Sequence, residues 1–227
     1  MNMKNLKQAG IALLIMGLLV AVVDAGASDA EKGWRTLFNG TNLDGWEFRG
    51  KEGDDAPTFK VEDGAIVGRT TMPYNPTAFV CTTEPFKDFE LVFDIRIDKD
   101  LNGGVQVRSA LEGNVRGAQV EIQNDSTKTG YIFGQGMGMW LSEDISPDNK
   151  AFKANEWNHV RVLAKGKTIK TWINDRPVAD TTHEKIALEG VIGLQVHGYP
   201  RGKKREAGSS EVLTTAMKNI KIRELGE

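Results

Sequence analysis

Cysteine is nearly absent: Cys81 is the only one in 227 residues, so no intrachain disulfide can form. Histidine is scarce as well, with three in the whole chain, and neither an HExxH helix nor a Cys/His cluster is present. Spacing alone therefore defines no metal site, and an EF-hand loop is missing too. Ser109 and Ser142 lack the strand–turn–helix context of a nucleophile elbow. After residue 27 no long amphipathic helix can be drawn, which argues against a parallel α/β architecture with its crossover helices. A repeat of 20–50 residues and a dividing linker are likewise lacking. Excess positive charge is missing: the formal net charge is −2, which gives no general attraction for nucleic acid.

The start of the chain reads as an export signal. Lys4 and Lys7 precede an apolar run of 13 residues, Ile11 to Val23, and Ala25-Gly-Ala27 follows with the small-x-small pattern of a cleavage site. About 20 apolar residues are needed to span a bilayer, so the run is read as a cleaved signal peptide, residues 1–27. No membrane association is expected after cleavage. Loss of Lys4, Lys7 and Asp24 takes the net charge from −2 to −3. The expected mature domain, 28–227, is one unit in the periplasm or outside the cell, holding itself together by its core rather than by disulfides.

From Thr58 onward the apolar pattern has period two. Phe89, Leu91, Phe93, Ile95 and Ile97 fall on one face of a strand. Asp63-Gly64 marks a tight hairpin, and Asn174-Asp175 another turn. About a dozen short strands separated by Gly, Asn and Asp predict an all-β sandwich or jelly roll.

Three strands carry an unusual polar face. Gln106 and Arg108 alternate with Val105 and Val107; Gln119, Glu121 and Gln123 alternate with Val120 and Ile122; Gln195 and His197 alternate with Leu194 and Val196. Solvent faces of sheets are usually richer in Lys and Thr, whereas amides, Arg, Glu and His offer the donors and acceptors that sugar hydroxyls need. A carbohydrate partner is the expectation. Trp140, in a Gly-rich segment, is the candidate for stacking on a sugar ring, while Trp46 is assigned to the core. His159, in a strongly apolar strand, is read as structural, and the basic stretch Arg201 to Arg205 as a solvated loop. Glu121 and Asp125 would be about 13 Å apart along an extended strand, too far for a paired-carboxylate glycosidase.

The ordered set of motifs resembles the 3-keto-disaccharide hydrolase domain family, formerly domain of unknown function 1080. It comprises Trp34-Arg-Thr-Leu-Phe-Asn-Gly-Thr-Asn-Leu-Asp-Gly-Trp46, Val61-Glu-Asp-Gly64, Asp88-Phe-Glu-Leu91 and Asn102-Gly-Gly-Val-Gln-Val-Arg108. Gly117-Ala-Gln-Val-Glu-Ile-Gln123, Glu156-Trp-Asn158, Gly193-Leu-Gln-Val-His-Gly198 and Asn219-Ile-Lys-Ile222 continue it. The resemblance implies a concanavalin A-like jelly-roll β-sandwich of two antiparallel sheets, and cleavage of glycosides carrying a ketone at C3. It implies Arg108, Glu121, Gln123, Gln195 and His197 as site residues. The long insertion Tyr199 to Glu211 departs from the family pattern.

Such chemistry needs one base, an acid for the departing oxygen and a stabilised enediolate. The expectation is that Glu121 or His197 is the base and the other the acid, or that both contribute to binding a divalent metal. Arg108 would polarise an oxygen, while Gln106, Gln119, Gln123, Gln195 and Trp140 hold the sugar. A non-catalytic, lectin-like module is the alternative.

Overall fold

A computed structural model describes residues 33–53, 56–70, 77–98, 101–123, 127–146, 149–197 and 212–226. The expected signal peptide, Asp125 and the basic stretch Arg201 to Arg205 lie outside the described residues. In chain order the strands are β1 (Trp34–Thr36), β2 (Trp46–Arg49), β3 (Thr58–Glu62), β4 (Ala65–Thr70), β5 (Ala78–Thr82) and β6 (Phe89–Ile97). Then come β7 (Asn102–Ser109), β8 (Gly117–Gln123), β9 (Ile132–Gln135) and β10 (Met139–Trp140). β11 (Asn158–Lys165), β12 (Thr168–Ile173), β13 (Arg176–Thr182), β14 (Val191–Val196) and β15 (Leu213–Glu224) complete the set. No helix occurs among the described residues.

These strands form two antiparallel sheets. One has eight strands in the order β13-β12-β11-β6-β15-β4-β3, with β1 joined to β15; the other has seven, β10-β9-β8-β7-β14-β5-β2. The period-two pattern produces this layering directly. Phe89, Leu91, Phe93, Ile95 and Ile97 are fully buried against Val105, Val107, Val120, Ile122, Leu194 and Val196 of the opposite sheet. Each such side chain contributes roughly 1.5–3 kcal/mol. The hairpin turns take the expected backbone: φ is +48° at Asp63 and +72° at Gly64, and +50° at Asn174 and +65° at Asp175. Trp46 is buried, and its indole Nε1 donates to Leu37 O at 2.9 Å.

The outward face of the eight-stranded sheet carries its own ordered row. Glu90 is bracketed by hydrogen bonds from Arg161 and Arg223, whose guanidinium groups lie 4.3 Å from the Trp172 ring and 5.0 Å from the Trp34 ring. His159 proves to be half-exposed on this same sheet, with Nδ1 2.8 Å from Asp94 Oδ1.

Candidate functional site

Antiparallel registry puts directly paired residues on the same side of a sheet, so the outward face of the seven-stranded sheet can be read as rows. One row runs Phe79–Gln195–Gly104–Glu121 across β5, β14, β7 and β8. Beside it lies Cys81–Gly193–Gln106–Gln119–Phe133–Trp140, ending on the edge strand β10. Asn102 and Gln123 pair in a third row, and His197, whose backbone N donates to Asn102 O at 3.1 Å, joins them there. Gln106, Gln119, Glu121, Gln123, Gln195 and His197 are thus brought to one face.

Their side chains form a connected network. Glu121 Oε1 accepts from Asn102 Nδ2 and from Gln123 Nε2, the latter at 2.7 Å. Its Oε2 accepts from Gln119 Nε2 at 2.7 Å. The same Gln119 nitrogen donates to Gln195 Oε1 at 3.2 Å, and Gln119 Oε1 accepts from Gln106 Nε2. Gln106, Gln119, Glu121 and Gln195 are all buried, with at most 5% of any of them exposed, so this is an enclosed polar floor rather than a wetted surface. Gly104 makes the arrangement possible. A Cβ there would come within 2.8 Å of the Gln119 amide, which lies across this position to reach both Gln195 and Glu121.

A carboxylate offers about four acceptor positions, and amides fill three of them. Among the described residues the position left open is on Oε2, where Glu121 can receive one proton. The groups facing Glu121 are N–H donors, which present positive hydrogens to it. The amides of Asn102, Gln119 and Gln123 turn N–H groups rather than carbonyl oxygens toward Glu121, so in this arrangement they add no further cation ligands beside it. Among the described residues no group of three or more His, Cys, Asp or Glu could hold one.

The expectation for Arg108 is corrected. Simple alternation puts it beside Gln106, but β7 holds one residue more than β14 between the pairs Ser109–Val191 and Gln106–Gly193. Arg108 absorbs that extra residue as a bulge with φ +56°. Its fully buried guanidinium donates to Lys87 O, Gly166 O (2.5 Å), Ala187 O (3.1 Å) and Asp88 Oδ1 (2.7 Å), and lies 5.8 Å from the Phe89 ring. Burial lowers its pKa while Asp88 opposes the shift. Arg108 ties the two sheets together and does not belong to the amide-lined face.

Trp140 stands at the edge of that face, half-buried and in an edge-to-face pair with Phe133 at 5.3 Å between ring centroids. Sequence reasoning passed over Phe133, Asn102 and Gly104. Asn102 and Gly104 were legible, since they continue the alternation of Gln106 backward along β7. Phe133 lies in a segment with no clear periodicity. Cys81, on the same face, is fully buried, and burial pushes its thiol up to about 12.

A sandwich of this kind, with an amide-lined face around one carboxylate, defines an all-β jelly roll. The chain belongs to the family of 3-keto-alpha-glucoside-1,2-lyase-like domains, whose model matches residues 33–223. Its fold is similar to that of a Parabacteroides distasonis protein provisionally described as a glycosyl hydrolase, with TM-score 0.59 and 20% identity over 88% of this chain and 98% of that one. It is similar also to the carbohydrate-binding module CBM66 from Bacillus subtilis (TM-score 0.57, 20% identity, 81% and 98% covered). A β-glucanase from Bacillus licheniformis shares the fold too (TM-score 0.59, 13% identity, 85% and 97% covered). No curated protein matches the chain.

Proposed function

We propose that this domain cleaves glycosides whose sugar already carries a ketone at C3, and that Glu121 starts the reaction. The ketone acidifies the proton on C2. Glu121 Oε2 takes that proton, the freed electron pair forms the C1–C2 double bond, and the bond from C1 to the glycosidic oxygen breaks. His197 delivers a proton to the departing oxygen. Water then adds across the double bond, giving net hydrolysis. Gln119 and Gln123 position Glu121 through their hydrogen bonds to its two carboxylate oxygens.

The observation that carries this reading is that, among the described residues, Glu121 is the one carboxylate in the amide network. Among the strand residues of this face the other carboxylate is Glu47, opposite Cys81 on β2 and ion-paired with Arg49. It lies four strands from Glu121, about 19 Å at the usual strand spacing. A direct glycosidase needs two carboxyl groups roughly 5–9.5 Å apart. Elimination beside a ketone needs only one. The family assignment supports the same chemistry. We also propose that the mature domain acts outside the cytoplasm after removal of residues 1–27.

The test is turnover of a methyl 3-keto-glucoside by purified domain. Glu121→Gln and His197→Ala should each lose on the order of 10²–10⁴-fold in kcat while unfolding at the wild-type midpoint. Retained activity in both would remove the assignment. Saturable binding without sugar release would favour a non-catalytic module, the reading that the half-buried Phe133–Trp140 pair beside the amides also suits.

A further inference from the structure

The amide chain has a direction, and Glu121 sets it. An ionised carboxylate only accepts hydrogen bonds. Gln119 must therefore turn Nε2 toward Glu121, which aims its Oε1 at Gln106, and Gln106 can meet that oxygen only through its own Nε2. On the other side, Gln195 gives Oε1 to Gln119 Nε2. Each outer glutamine is left with one atom to spare: Gln106 Oε1, an acceptor, and Gln195 Nε2, a donor. Neither has a hydrogen-bond partner among the described residues, and both residues are 0% exposed. A buried polar atom left unpaired costs about 1–3 kcal/mol. Two of opposite sense, on glutamines whose other amide atoms bond the same Gln119 amide, mark a built site.

The two glutamines stand on neighbouring strands. Gln106 is opposite Gly193 and Gln195 is opposite Gly104, so between β7 and β14 neither faces a side chain directly across. We propose that Gln106 and Gln195 together hold one hydroxyl of the sugar, which donates to Gln106 Oε1 and accepts from Gln195 Nε2. This rests on reading the face as the sugar site. A hydroxyl is the sugar substituent that both donates and accepts at one atom; a ketone only accepts, and a deoxy carbon does neither. The pair is therefore a specificity element. It reads a hydroxyl other than the oxidised position and fixes how the ring presents C2 to Glu121.

The test compares methyl 3-keto-glucoside with its 2-deoxy, 4-deoxy and 6-deoxy analogues, by kcat/KM and by calorimetric Kd. In wild type one analogue should lose about 10–100-fold in both measures, and the others should lose little. In Gln106→Met and Gln195→Met that selective penalty should shrink to within about threefold. A penalty equal across the analogues, or one unchanged in folded Met variants, overturns the proposal. Should a Met variant not fold, the wild-type panel alone decides. Kd selectivity without sugar release would leave the hydroxyl site standing and remove the elimination reading. Turnover without selectivity would do the reverse.

Discussion

Glu90 has only 5% of its side chain exposed, yet two guanidinium groups hold it charged. Burial alone would raise its pKa, but hydrogen bonds and attraction from Arg223 and Arg161 win, and the carboxyl stays below the usual range. The sign of the resulting pH dependence follows. The unfolded chain takes up this proton near pH 4.3, while the folded chain does so only at lower pH. The stabilisation is complete above about pH 4.3 and is lost as the pH falls through the folded value. Urea denaturation should show wild-type unfolding free energy dropping more steeply below that pH than in Glu90→Gln. Parallel curves would mean that Glu90 carries no such linkage. Other single residues were readable to different degrees. Gln106, Gln119, Glu121 and Gln195 follow from alternation alone, because a strand with one face in the core has no freedom to turn them elsewhere. Arg108 did not follow.

At the level of elements, the reason is the bulge in β7. A bulge needs a partner that lets the backbone approach, and here the partner is Gly190, far away in sequence. A Cβ on Gly190 would come within 2.3 Å of Ser109 O and 2.5 Å of the Arg108 carbonyl carbon. Nothing within Val105-Gln-Val-Arg108 signals this, so period-two reading carries the alternation one residue too far. Gly190→Ala should destabilise the fold by about 3 kcal/mol, at the upper end for forced backbone shifts, with an unchanged denaturant slope. A loss below about 0.5 kcal/mol would show that the close approach relaxes freely. β9 and β10 were illegible for a different reason: they are four and two residues long, too short to establish a period. Trp140 could be named from its neighbours, but its pairing with Phe133 could not.

Across the whole molecule, both outward faces are organised. One bears the Trp172–Arg161–Glu90–Arg223–Trp34 row, the other the amide floor, and the apolar core lies between. The layering was legible from strands such as β6, whose apolar residues alternate without interruption. Which strands neighbour one another was not, because sheet order depends on contacts between distant segments. The clearest case is β15, the last strand, which lies between β6 and β4 and also pairs with β1. Ending the chain at residue 212 removes an interior strand rather than trimming an edge. Such a truncation should lose its cooperative urea transition. A cooperative transition at the wild-type midpoint would show that the remaining strands close without it.

Placing the final strand inside the sheet also governs when folding can happen. Trp34, Arg35 and Thr36 pair with Arg223, Ile222 and Lys221, so the first and last strands are neighbours. At roughly 5–20 residues added per second, the first strand waits about 10–40 s for its partner to be made. During synthesis the eight-stranded sheet lacks the strand that joins its halves, and it cannot close before Leu213–Glu224 have been made. Pairing of Trp34–Thr36 with Lys221–Arg223 is therefore among the latest contacts that the growing chain can make.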